Sequence, residues 1–232
     1  MKKMFPLLLA ALMLLCGCEP GWGEPDQESQ CEEKPAIYLY PDSEEERTSE
    51  LVEKPVLYLL PEQTKTVTVK LDLDGALTCA YPAYEDGWTV EAAPDGTLTD
   101  ASGRQYPYLF WEGATHAEWD MDRGFVVPGD ETAAFLEEKL ALLGLNNREA
   151  ADFITYWLPR MQDNAYNLIA FQGDAYTEAA GLTVTPEPDT MLRVFMVFQP
   201  LEEPIDIPQQ EMVPTERTGF TVVEWGGCEV KK

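Results

Sequence analysis

The stretch from Lys54 to Gly75, KPVLYLLPEQTKTVTVKLDLDG, constrains the fold more than any other part of the chain. Its first half is an apolar run closed by proline at both ends. Its second half alternates: Val67, Val69, Leu71 and Leu73 are interleaved with Thr66, Thr68, Lys70 and Asp72. Successive strand residues point to opposite faces, so this alternation predicts a half-buried strand with one wet face. The proline-bounded run suits a short strand that is buried on both faces or lies at a sheet edge. Asp74-Gly75 then predicts a tight turn, with Ala76 to Tyr81 returning as the hairpin partner. A near copy of the first half, KPAIYLYP, occupies Lys34 to Pro41, with Tyr38 matching Tyr58 and Leu39 matching Leu59. Only the second copy runs directly into the alternating strand, which gives it the shorter closure and the better claim to the sheet. The first copy is expected to add as an edge strand through Ile37 to Tyr40, to lie on the surface, or to compete for the same slot.

Beyond this stretch the chain reads as strands, then helices, then strands. Trp88 to Ala92 and the aromatic segment Tyr106 to Trp111 are strand-like, with turns at Pro94-Asp95-Gly96 and Ser102-Gly103. Residues 113–123 read as an exposed loop, and Gly124 to Val127 as a short strand. A helix is expected over Glu131 to Leu143, with Asp130 as N-cap and Gly144 as its stop. A second is expected from Arg148 to about Leu158, capped by Asn147 and bent or ended by Pro159. The short link between them predicts an antiparallel helical hairpin. Tyr166 to Gln172, Gly181 to Thr185, Met191 to Gln199 and Gly219 to Trp225 are the remaining strand candidates, with the acid- and proline-rich residues 200–218 wrapping the surface. The expected class is α+β: a largely antiparallel sheet or sandwich with a central helical hairpin, forming one domain over residues 54–228. A hydrophobic content of 45% supplies the core for it.

The N-terminus reads as an address. Lys2 and Lys3 precede an apolar segment, Met4 to Leu15, that is shorter than the ~20 residues needed to span a bilayer. Leu15-Cys16-Gly17-Cys18 resembles the lipobox of bacterial lipoproteins, in which a small residue precedes the cysteine that is lipidated. The resemblance implies cleavage after Gly17, so that residues 1–17 are a lipoprotein signal peptide and Cys18 carries diacylglycerol. Residues 18–53, rich in Pro, Gly and acids and holding the extra copy 34–41, read as an acidic tether. The implied location is the extracytoplasmic face of the cell membrane, and the implied partner is the membrane itself, through the lipid on Cys18. A net charge of −26 excludes nucleic acid as a partner.

KPVLYLLP followed by VTVKLDLDG, then LTCAYPAYEDGW, YLFWEG, FITYWLPRM, YNLIAFQ and GFTVVEWGG, together resemble a group of uncharacterised secreted proteins and lipoproteins of bacteria, found especially in Gram-positive gut bacteria. The resemblance runs from Lys54 to Gly227. It implies no activity and no catalytic residues. The chain departs from the group's pattern in having two KPxxYLxP units where one is usual.

The chemistry-bearing residues are sparse. His116 is the only histidine, and no Ser-His-Asp or Cys-His arrangement can be built without it. No cofactor-binding motif is present, so no cofactor is expected. Cys31, Cys79 and Cys228 have no metal-ligand spacing; a Cys79–Cys228 disulfide and buried free thiols are both open. Glu118, Asp120 and Asp122 lack the glycine and closing glutamate of a calcium loop, so no metal site is expected. Acids beside aromatics, Glu112 after Trp111, Asp120 after Trp119 and Glu224 before Trp225, are what a glycan-hydrolysing cleft would use. Glu112 and Asp120 are the candidate catalytic pair. Tyr106, Tyr108 and Phe110 share one face of the expected aromatic strand and Trp111 the other. Tyr106, Tyr108 and Trp111 are therefore candidate binding residues if exposed, and core if not. The expectation is a membrane-anchored lipoprotein with a non-enzymatic binding or structural domain, the alternative being a carboxylate hydrolase acting on envelope glycans or peptides.

Overall fold

A computed structural model describes residues 50–230. Residues 1–17, expected to be a signal peptide, together with Cys18, Cys31 and the first KPxxYLxP copy lie outside the described residues. The second copy opens the fold. Strand β1 (Glu50–Leu60) begins four residues before the expected boundary at Lys54 and buries Val56 to Leu59 almost completely. Strand β2 (Lys65–Leu73) keeps the expected alternation, with Val67 and Val69 at 0% exposure and Thr66 and Lys70 in water.

Asp74-Gly75 does not close a hairpin. Strand β3 (Gly75–Tyr81) turns away from β2 and joins the other sheet. The physical reason lies in what Asp74 and Gly75 touch. The Asp74 N–H donates to Ala179 O at 2.8 Å, and its carbonyl accepts from Thr115 Oγ1 at 2.9 Å and from the His116 N–H at 3.2 Å. A Cβ on Gly75 would lie 1.9 Å from Ala114 O, so the glycine serves close backbone approach at a corner between sheets.

Strands β4 (Trp88–Ala92), β5 (Leu98–Thr99) and β6 (Gln105–Tyr106) follow, and then β7 (Leu109–Thr115). The aromatic segment is therefore two strands rather than one. Pro107, which has no N–H for a ladder, separates Tyr106 in one sheet from Trp111 in the other. After β8 (Phe125–Pro128), a short 3-10 turn leads into α1 (Thr132–Leu142), so the expected Asp130 cap is replaced by a turn without a side-chain cap. Helix α2 (Asn147–Met161) is capped by Asn146 rather than Asn147, because only Asn146 stands three residues before Glu149 and can complete the reciprocal capping box. Pro159 sits inside α2 without ending it. The chain finishes with β9 (Tyr166–Gln172), α3 (Asp174–Ala179), β10 (Ala180–Thr185), β11 (Thr190–Leu201) and β12 (Thr221–Glu229).

These elements make a seven-stranded sheet, β3-β7-β1-β12-β11-β9-β8, and a five-stranded sheet, β10-β2-β4-β5-β6. Every neighbouring pair is antiparallel except β11 and β12. That parallel pair explains residues 202–220: the chain must return the full length of β11 before β12 can start beside it. The return is pinned by Gln210, whose side chain bonds both Phe171 N and O, and by Gly124 N–H donating to Pro208 O at 3.0 Å.

The large sheet is covered on both faces. On one, Leu57, Leu59, Trp111, Phe195 and Val222 meet Val67, Val69, Trp88 and Leu98 of the small sheet. On the other, Tyr58, Val194, Phe198, Val223 and Trp225 meet Leu136 and Leu140 of α1 and Phe153, Trp157 and Met161 of α2. The protein is mostly β, with two sheets and a few helices, in keeping with an α+β class. Among the described residues no helix is long and apolar enough to cross a membrane.

Cys79 and Cys228 are both free. Cys79 lies on β3 and Cys228 on β12, three strand spacings apart, or ~14 Å, where a disulfide needs Cα atoms within ~7 Å. Cys79 is exposed. Cys228 is buried, and burial, followed by the nearby Glu50 carboxylate, pushes its thiol up to about 12. In the native protein Cys79→Ser should remove one thiol reactive toward an aromatic disulfide reagent, while Cys228→Ser should remove one that reacts only after denaturation. Equal reactivity of the two would contradict this arrangement.

Candidate functional site

The site grows from an irregularity in β1. Pro55 cannot donate to a ladder, and the register of β1 shifts between Glu53 and Val56 against β12 and between Val52 and Val56 against β7. Lys54, at the centre of this bulge, has φ +59, a left-handed conformation that non-glycine residues seldom adopt and that clusters at functional sites. Its N–H is taken by Glu112 Oε1 at 3.3 Å instead of by a neighbouring strand. Its ammonium lies 5.6 Å from the Tyr108 ring centre, 4.9 Å from Phe110 and 5.7 Å from Tyr156 of α2. Three rings thus hold one cation. Among the described residues Lys54 Nζ has no carboxylate within ion-pair distance.

Four residues further along β1, the other polar side chain of the motif joins the same place. Tyr58 donates its hydroxyl to Asp152 Oδ2 at 2.8 Å and packs edge-on against Tyr108 at 5.7 Å. Burial, then acceptance by the Asp152 carboxylate, raises the Tyr58 hydroxyl well above its usual range, so it stays a proton donor. Asp152 and Tyr156 stand four apart on α2 and therefore share a face. Between them lies a cavity of about 260 Å³, lined by Lys54, Tyr108, Asp152, Thr155, Tyr156 and Trp225. At its rim Arg160 pairs with Glu53 and lies 4.9 Å from the Tyr156 ring centre.

The cavity offers an ammonium, a carboxylate with one oxygen free of side-chain donors, and aromatic walls. That set can hold a polar ligand by hydrogen bonds while stacking its apolar face. A larger groove, about 630 Å³, runs between β8, α1 and residues 205–209. Its cation, Lys139, is already paired with Glu138 at 2.8 Å, so the groove presents no comparable pair of unfilled groups.

The candidates drawn from sequence are dispersed. Glu112 flanks the cavity through Lys54. Asp120 lies in the loop after β7, its N–H and carbonyl held by the side chain of Gln172 at 3.1 and 2.9 Å, and its carboxylate accepts from Asp122 N. Gln172 is in register with Phe195, on the face toward the small sheet, where Trp119 also packs at 4.8 Å from Phe195. Glu112 is on the helical face with Lys54. The large sheet therefore separates the two carboxylates. Among the described residues no three His, Cys, Asp or Glu side chains converge as a metal site would require. His116 is exposed.

Of the aromatics, Tyr108 lines the cavity, whereas Tyr106 and Trp111 are core, at 7% and 0% exposure. Tyr106 donates to Asp100 Oδ2 at 2.8 Å, and Trp111 Nε1 donates to Glu224 Oε1 at 3.0 Å. Lys54, Tyr58, Asp152 and Tyr156 are not among the site residues expected from sequence, and Trp225 enters there only as the aromatic beside Glu224. One signal did point to the first two: Lys and Tyr are the polar residues that both KPxxYLxP copies share.

One relative aligns with the chain: an uncharacterised protein in the bglA 3′ region of Butyrivibrio fibrisolvens, 43% identical over 115 residues, which is 48% of this chain and 96% of that protein. No family model and no solved structure matches the chain.

Proposed function

We propose that this chain, which belongs to the same family as that Butyrivibrio fibrisolvens protein, is a lipid-anchored extracytoplasmic binding protein. Cys18 carries the lipid, the acidic residues that follow form the tether, and one domain captures a small ligand outside the membrane. The single observation that carries the binding function is the cavity at the β1 bulge. A strained backbone conformation aims a lysine with no carboxylate partner among the described residues into an aromatic-lined space that it shares with Asp152. We read α1 and α2 as an antiparallel helical hairpin whose second member supplies the outer wall.

Two measurements test this reading. Wild-type protein should fractionate with membranes and Cys18→Ser should not, since lipid chains are what hold it there. Retention of the variant at the membrane would refute lipidation at Cys18. The non-enzymatic reading is tested with Glu112→Gln: turnover of an envelope glycan or peptide that this substitution abolishes would establish the hydrolase instead.

A further inference from the structure

We propose that the cavity over Lys54 takes a single neutral saccharide unit, the end of a longer glycan; this rests on the reading of the cavity as the ligand site. The first argument is size. At about 260 Å³ the space falls just under the ~300 Å³ at which ordinary small-molecule sites begin. It admits one ring and leaves the remainder of a chain outside.

The second argument is the pairing of donor and acceptor. Asp152 already accepts from Tyr58 through Oδ2, which leaves Oδ1 to accept from a ligand hydroxyl. Lys54 supplies ammonium N–H groups that no carboxylate takes up among the described residues. Neighbouring hydroxyls of a sugar ring need this combination, one hydroxyl donating and the next accepting. The Thr155 hydroxyl donates to Ala151 O at 2.8 Å, so its lone pairs remain available.

The third argument is charge. Lys54 and Asp152 cancel within the lining, so the cavity does not call for a charged ligand. The chain's net charge of −26 opposes the approach of an anion. A cation fares no better: the Lys54 ammonium already stands 4.9 to 5.7 Å from the Tyr108, Phe110 and Tyr156 ring centres and would repel a second positive charge. Neutral, hydroxyl-rich and apolar on one face describes a hexose.

The experiment uses full-length protein with Cys18→Ser, to keep it in solution, on an array of neutral and acidic oligosaccharides. Glycans ending in a neutral hexose should bind. Adding Asp152→Asn or Tyr156→Ala should each weaken binding about tenfold or more, because one removes a charge-assisted acceptor and the other a wall. Both residues are only partly buried, and unchanged thermal unfolding would show that each variant is folded. Binding of acidic glycans only, or binding that neither variant weakens, would overturn the proposal. Thermal-shift titrations with free amino acids and dipeptides separate the two levels of failure. A response to these that Asp152→Asn removes, with silence toward sugars, overturns the ligand class and leaves the cavity as a binding site. Silence toward every probe overturns both.

Discussion

Replacing Glu224 by alanine should cost the protein about 3–5 kcal/mol, the range expected when one partner of a buried ion pair is removed. Glu224 is at 0% exposure between the two sheets. One carboxylate oxygen accepts from Trp111 Nε1 at 3.0 Å, and the other from Arg193 Nε at 2.6 Å. Arg193 in turn lies 4.6 Å from the Tyr176 ring, which stacks on Phe195. Without the carboxylate, a guanidinium remains in an apolar core with no counter-charge, and the Trp111 N–H loses its acceptor. Against a total stability of about 5–15 kcal/mol this is a large fraction. The pair itself need not be stabilising, since apolar residues of similar volume often replace such pairs at no cost. The double variant Arg193→Met, Glu224→Leu should therefore recover most of the loss. Urea midpoints at constant slope would measure it. A Glu224→Ala loss below about 1 kcal/mol, or a double variant worse than either single one, would show that the cluster is not held as described.

Glu224 also shows where the sequence could be read and where it could not. Gly219 to Trp225 reads as a strand, and β12 starts two residues later, runs on to Glu229 and is buried along nearly its whole length. A glutamate in such a run gives no sign of its partner, because Arg193 comes from a parallel neighbour 31 residues away. Local pattern found β2, β4, β9 and both long helices, since period-2 and period-3.6 signals sit within the segment that forms. It failed at Asp74-Gly75, where two sheets compete for the chain: bonds to Ala179 and Thr115, both remote in sequence, decide against a hairpin. It failed at Tyr106 to Trp111 for the related reason that Pro107 divides one aromatic run between two sheets. The cavity was hidden more deeply. Its walls come from β1, α2, β12 and the segment before β7; of its residues Tyr108 is a binding candidate from the aromatic run, and Lys54 and Tyr58 carry a mark in their recurrence at Lys34 and Tyr38. Acid–aromatic adjacency along the chain misled because neighbours in a strand point to opposite faces: Trp111 enters the inter-sheet core and Glu112 turns toward Lys54.

Replacing Glu149 by alanine is expected to have the second largest effect, about 2–4 kcal/mol, since it removes a helix cap and one side of a largely buried ion pair together. Glu149 is 2% exposed. Its Oε2 accepts from the Asn146 N–H at 2.9 Å, its Oε1 from Asn146 Nδ2 at 2.8 Å, and the carboxylate pairs with Arg217. Arg217 also donates through Nε to Gly144 O at 2.7 Å, in the short link between α1 and α2. Glu149 thus ties the start of α2 to the return segment that β11 and β12 require. Arg217→Met should cost less, about 1–2 kcal/mol, because its partner keeps the cap and its own head is closer to water. The signature of Arg217→Met is local: faster amide exchange and easier proteolysis within residues 202–220, with α2 protection nearly unchanged. Glu149→Ala should instead loosen both segments. A double-mutant cycle should give coupling near 1 kcal/mol or more for groups in direct contact. Strict additivity would mean that the segment is held elsewhere, and the parallel β11–β12 pair would then need another clamp than the one between Arg217 and Glu149.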